Sequence, residues 1–116
     1  AYLNKIRQYE ASLTAPEFAK MKKLLVALTA DYEQAVALVT EIKNQEYLDF
    51  HARRLVEMAG HIIMSYLLLL DAQRDNEYAK IAEVYTKRAV AWNEERFNYI
   101  KSFKIEDIEN FKSVIE

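Results

Sequence analysis

The chemistry this sequence could carry starts at its two histidines. His51 and His61 stand ten residues apart. On one helix that spacing sets them about 80° apart around the axis, so they cannot chelate one ion together. A di-iron bundle needs two Glu-x-x-His pairs and two further glutamates. Here Glu57 lies four before His61 rather than three, and no second pair exists. The spacing instead predicts a buried or half-buried His61 hydrogen-bonded to Glu57 one turn away. His51 opens the run His51-Ala52-Arg53-Arg54, with cations placed where a phosphorelay domain holds a phosphoryl group. Such sites put a small residue just beyond the basic position, and Leu55 stands there, so phosphotransfer through His51 is a remote alternative. Ser65 follows His61 by four, within an apolar run, with no third member and no oxyanion donor. Glu94 with Glu95, and Glu106 with Asp107, are adjacent and point about 100° apart on a helix, which reads as solvated surface. No catalytic, cofactor-binding or metal-ligating residue is assigned.

Composition narrows the rest. The chain has 116 residues, enough for one domain with its own core. It has no cysteine, which removes disulfides and thiolate chemistry and suits a cytoplasmic protein. Its net charge of −2 comes from interspersed charges of both signs, so nucleic acid is not an expected partner. One glycine cannot build a phosphate-binding loop, and one glycine with one proline argues for few, long helices and no sheet. The missing initiating Met and the helical pattern already under way at Ala1 give the expectation of a C-terminal fragment of a longer chain, with 1–116 as one domain.

The elements that must position these residues follow from periodicity. Ala1 to Ser12 is weakly periodic and reads as a helix. Thr14 and Glu17 form a capping box with Pro16 in the first turn, and Leu13 with Phe18 suits a hydrophobic staple. Phe18, Met21, Leu25, Leu28, Tyr32, Ala35, Val39 and Ile42 step by threes and fours and predict a second helix to about Lys43. Asn44 caps a third, roughly Gln45 to Arg74, which turns back antiparallel. It carries the longest apolar run, Ile62 to Leu70, too short on its own to cross a bilayer. Apolar nearly all round, this helix is expected in the middle of the fold, with no transmembrane segment. Asp75 and Asn76 offer the next cap, and a fourth helix runs from about Glu77 to Phe103. Its seam reads Tyr78, Ala82, Tyr85, Ala89, Trp92, Arg96, Tyr99 and Phe103, with Arg96 either snorkelling out or pairing with a carboxylate. Ile108, Phe111, Val114 and Ile115 share one side of a short last helix. The expected fold is all-α: an up-and-down antiparallel bundle of three long helices plus shorter terminal ones. Gly60 costs about 1 kcal/mol inside a helix relative to Ala, and a close approach of another helix backbone is the expected return.

The stretch Ala52 to Ala72 also resembles the extra C-terminal helical domain of certain long acyl-CoA dehydrogenases. Leu55, Gly60, the run Ile62 to Leu70 and Ala72 carry the resemblance, with the heptad helix before and the Tyr- and Trp-bearing helix after. It implies a parent enzyme of fatty acid metabolism that uses FAD to oxidise the α,β bond of an acyl-CoA thioester. The family's catalytic Glu and flavin contacts belong to core domains outside this stretch, so no site residue transfers and no cofactor is expected in the fragment itself. The resemblance further implies a packing or assembly element, or one that borders the acyl or CoA groove, with the parent's core domains or a neighbouring subunit as partner in an oligomer. The alternative is a free-standing protein-interaction bundle.

Overall fold

The computed structural model describes residues 2–115, with the side chains of Phe111, Lys112, Ser113 and Ile115 outside the description. Five helices follow one another: α1 Tyr2–Ser12, α2 Ala19–Glu41, α3 Gln45–Arg74, α4 Ala79–Ser102 and α5 Ile105–Ile115. Short 3₁₀ turns, Pro16–Phe18 and Asn76–Tyr78, lead into α2 and α4. No strand occurs among the described residues. The bundle is elongated, 55 × 23 × 16 Å.

α3 is the axis. α1, α2 and α4 all pack on it, and α2 and α4 also meet each other behind it. Three pairings fix the direction of α4: His51 with Phe103, Glu57 with Arg96, and His61 with Asn93. The partner's number falls as the α3 number rises, so the two helices run antiparallel. Ala82 and Ala89 are fully buried there, and their small side chains let α4 come close to α3. Leu55, Met58, Ala59, Ile62, Tyr66 and Leu69 form the core face of α3. They meet Leu25, Leu28, Ala35 and Val39 of α2 in one continuous cluster.

α3 as a whole contains an 18-residue window of mean hydropathy 1.5, long and apolar enough by composition to cross a membrane. That is more than the run Ile62 to Leu70 suggests alone. Its packing against three other helices accounts for the apolar content without a bilayer.

The ends of the helices follow local chemistry in part. The Asn44 side chain accepts from the Tyr47 N–H at 2.9 Å, and Asp75 accepts from the Glu77 N–H at 3.1 Å, as caps should. Lys43 turns the chain with φ 54°, the one left-handed residue outside glycine among those described. That turn leaves Ile42 exposed and ends the α2 seam at Val39. The expected capping box at Thr14 and Glu17 does not form. Gln73 of α3 supplies the acceptor instead, taking the Thr14 and Ala15 N–H groups at 2.7 and 2.8 Å. Its amide nitrogen donates to the Ser12 carbonyl, and the Lys22 ammonium donates to the Leu13 carbonyl. One half-buried amide thus ties the α1–α2 corner to the end of α3. Leu13 and Phe18 are both buried there.

Three packing expectations need correction. The buried face of α4 is Ala82, Thr86, Ala89, Asn93, Phe97 and Ile100. Tyr78 is exposed, while Tyr85, Trp92 and Tyr99 lie half-buried beside that face rather than on it. On α5, Ile108 is buried but Val114 is 83% exposed, and Phe111 and Ile115 lie outside the described side chains. Gly60 touches no other helix: it is exposed, and a Cβ added to it meets nothing within 4 Å. It sits on the one side of α3 that neither α1, α2 nor α4 covers. Gly60→Ala should therefore stabilise the fold by about 1 kcal/mol through helix propensity alone. Urea unfolding in dilute solution measures this, and a lower midpoint for the variant would contradict the open environment.

Candidate functional site

The polar residues expected to do chemistry instead hold α3 to α4. His51 is fully buried, and its Nε2–H donates to the Phe103 carbonyl at 3.1 Å. Tyr47 and Phe50 stand edge-on to its ring at 4.8 and 5.0 Å. Its Nδ1 is buried without a partner, which fits a neutral ring only. No phosphoryl donor can reach either nitrogen. Arg53 points away to Glu57, and Arg54 lies over the rings of Phe50 and Tyr99, at 5.0 and 4.2 Å. The phosphotransfer alternative through His51 fails on that burial.

Burial holds the His51 imidazole below its ordinary pKa of 6.5; the bond to Phe103 opposes this shift and the Arg54 charge adds to it. The folded value lies below the unfolded one, so the unfolded chain binds the proton first. The stability that goes with neutral His51 is present above about pH 6.5 and is lost as pH falls through the folded value. The melting temperature should drop between about pH 7 and pH 5 in the native chain and drop less in His51→Gln. Equal slopes for both would remove His51 as the cause.

Glu57 and His61 are not partners. The Glu57 carboxylate accepts from Arg96, through Nε at 3.0 Å and through Nη2, and Arg53 adds a longer contact at 3.3 Å. Arg96 also donates to the Trp92 carbonyl at 3.2 Å. The hydrogen bond from Arg96 is the main reason that the Glu57 carboxyl is held below its usual range. Arg96 therefore pairs with a carboxylate rather than snorkelling. His61 turns to Asn93, a residue that the sequence reading passed over. Asn93 is buried; its Nδ2 donates to the Met58 carbonyl at 3.1 Å, which leaves Oδ1 facing His61 Nδ1 at 2.9 Å. The amide orientation thus puts the proton of neutral His61 on Nδ1. Ser65 donates to the carbonyl of His61 at 2.8 Å and is buried, so it is no nucleophile. His51 and His61 are not brought together. Among the described residues no cluster of three or more His, Asp or Glu could hold a metal.

The other feature is the open side of α3. Val56, Met64 and Leu67 are 52, 44 and 38% exposed, and Gly60 lies between them. At 100° per residue all four fall within about 40° of one line. The α4 aromatics border this strip: His61 lies against Trp92 at 4.8 Å, and Trp92 against Tyr85 at 5.6 Å. Single exposed apolar residues are ordinary, whereas several aligned on one helix face mark a contact surface.

Fold and site together define a helical interaction or accessory domain: its buried polar groups lock helices, and its distinctive surface is apolar. The family model described as acyl-CoA dehydrogenase C terminal matches residues 1–108. The crystal structure of an acyl-CoA dehydrogenase family protein from Porphyromonas gingivalis superposes with TM-score 0.83 at 40% identity, covering 89% of this chain and 90% of that one. No curated protein sequence matches the chain. The chain belongs to the acyl-CoA dehydrogenase C-terminal family.

Proposed function

We propose that this chain is the accessory C-terminal domain of an FAD-dependent acyl-CoA dehydrogenase and that it supports the assembly of the parent enzyme. The observation that carries this reading is the aligned apolar strip on α3 in a domain of that family. Its occupants would be the parent's core domains or a neighbouring subunit, in an oligomer. Flavin chemistry and proton abstraction fall to residues outside this chain, because the histidines, Glu57 and Ser65 are all engaged in holding helices. The chain without cysteine suits a cytoplasmic location. Fatty acid oxidation is the process that the parent would serve.

A border role in the substrate groove has its own support. A cleft of about 340 Å³ opens between the ends of α2 and α4 and the start of α5, lined by Leu38, Ile42, Ile100 and Ile105, with Lys101, Lys104 and Glu106 at its edge. An aliphatic floor suits an acyl chain.

The test is the parent with this domain deleted. Flavin content should hold, while mass by light scattering, stability, or turnover across acyl lengths should change. A truncation with unchanged mass, stability and substrate profile would sink the reading. Loss of the chemical step alone, with binding intact, would mean a catalytic residue lies here. The alternative is a free-standing protein-interaction bundle. A gene that encodes no core domains upstream would favour that second reading.

A further inference from the structure

We propose that the open side of α3 is a self-association surface, on which two copies of this chain pair with their α3 helices antiparallel. The pairing gives the assembly role above a specific partner and rests on that reading. α1, α2 and α4 cover three sides of α3. The fourth presents Val56, Gly60, Ile63, Met64 and Leu67, about three turns in which the one charge, Glu57 at the edge, is held by Arg96 of α4.

What stands at the two ends of this strip selects the partner. Arg53 lies nine residues before position 62, and Asp71 lies nine after it, on the same line of the helix to within about 20° of Gly60. A two-fold axis at that level sets Arg53 of each copy opposite Asp71 of the other, twice. A parallel pair would set arginine against arginine. A self-complementary patch of this kind is what an isologous dimer requires. The existing partners give way readily. Arg53 is 92% exposed, and its acceptor Glu57 keeps Arg96; Asp71 pairs only with the exposed Arg74. Such surface pairs contribute little where they stand.

The same axis brings Met64 of one copy over Gly60 of the other. Glycine leaves a gap on the strip, and an unbranched thioether side chain is suited to fill it. This accounts for a glycine that costs helix stability and gains nothing inside its own chain. Val56 faces Leu67 of the other copy to within one residue.

The experiment uses the 116-residue chain, with mass followed by sedimentation across a dilution series. The expected result is a reversible passage from one chain to two. Met64→Asp should keep the helical spectrum and abolish the dimer. Arg53→Asp should weaken it by about tenfold or more, and the double variant Arg53→Asp with Asp71→Arg should restore it. Direction comes from cross-linking. The chain has no native cysteine, so Val56→Cys and Leu67→Cys chains can be mixed and oxidised. Disulfides should join the two kinds and not like with like, because two copies of position 56 lie about 18 Å apart along an antiparallel pair. A single-chain mass at every concentration would overturn the pairing. So would a dimer that survives Met64→Asp, or one that cross-links like with like. If the 116-residue chain stays single while truncation of the parent changes its mass, the assembly reading stands, this pairing falls, and a core helix of the parent is the occupant.

Discussion

Tyr66→Ala should cost about 3–5 kcal/mol of folding free energy, whereas Tyr66→Phe should cost nothing or raise stability. Tyr66 is fully buried at the centre of α3, where the seams of the neighbouring helices converge. Truncation to alanine removes the ring's transfer energy and leaves a cavity that α1 and α2 cannot close without moving as units. The phenylalanine variant separates the ring from its hydroxyl. The Tyr66 hydroxyl is buried with no hydrogen-bond partner, and burial, with the Glu10 charge second, pushes its pKa upward. An orphaned hydroxyl carries a desolvation cost of about 1–3 kcal/mol, which phenylalanine does not. Urea midpoints with unchanged m-values would report both effects. A phenylalanine variant less stable than the native chain would mean that the hydroxyl is bound, by an ordered water for instance. The centre of the bundle would then be polar rather than strained by an unpaired group.

Tyr66 is also the kind of residue that the sequence identifies well. It sits on a stripe of threes and fours, Ala52, Leu55, Ala59, Ile62, Tyr66 and Leu69, of which all but the half-buried Ala52 are buried. The α2 seam was legible for the same reason through Leu25, Leu28, Tyr32, Ala35 and Val39. So was the cap at Asn44, because the atoms involved lie three residues apart. What failed was decided by contacts far apart in sequence. Thr14 and Glu17 had the spacing of a capping box, but the acceptor arrives from Gln73, 59 and 58 residues from the N–H groups it takes. Glu57 had the spacing to reach His61, but Arg96 on α4 offers two N–H groups and a full charge, which a neutral imidazole cannot match.

On α4 the large rings point to the wrong face. Tyr78, Tyr85, Trp92 and Tyr99 recur every seven residues, and that regularity outweighed Thr86 and Asn93, which are polar. Yet a helix that must lie close to α3 needs small residues at the contact, and Ala82, Thr86 and Ala89 supply them. Rings with a polar edge serve better on the flanks, half in water. A strict seven-residue repeat also drifts around an α-helix by about 20° per repeat, so the aromatic row rotates away from the contact along α4. Gly60 marks a cost in the sequence, but the helix approach expected in return does not occur. Its cause is not found inside this chain, which is why the open side of α3 carries the self-association proposal.

Asn93→Ala should destabilise the bundle by about 1–3 kcal/mol for the groups it leaves unpaired, with a cavity cost added. Asn93→Asp should cost at least as much. Asn93 works as a two-way clasp: Nδ2 donates to the Met58 carbonyl and Oδ1 accepts from His61. Alanine makes neither contact. Aspartate keeps the acceptor for His61 but sets a second oxygen against the Met58 carbonyl, and it adds a buried charge whose desolvation one histidine does not offset. A clasp can be told from simple space-filling by the state of His61 in the folded protein. The imidazole nitrogen shifts should place the proton on Nδ1 in the native chain. In Asn93→Ala, where no acceptor fixes that tautomer, they should move toward the Nε2 form that free imidazole favours. Trp92, tilted against the His61 ring, gives a second reading through its fluorescence. If Asn93→Ala unfolds at the native midpoint with unchanged nitrogen shifts, the hydrogen bond across the seam is not made in solution, and the apolar face of α4, the His51–Phe103 bond and the Glu57–Arg96 pair hold α3 to α4 without it.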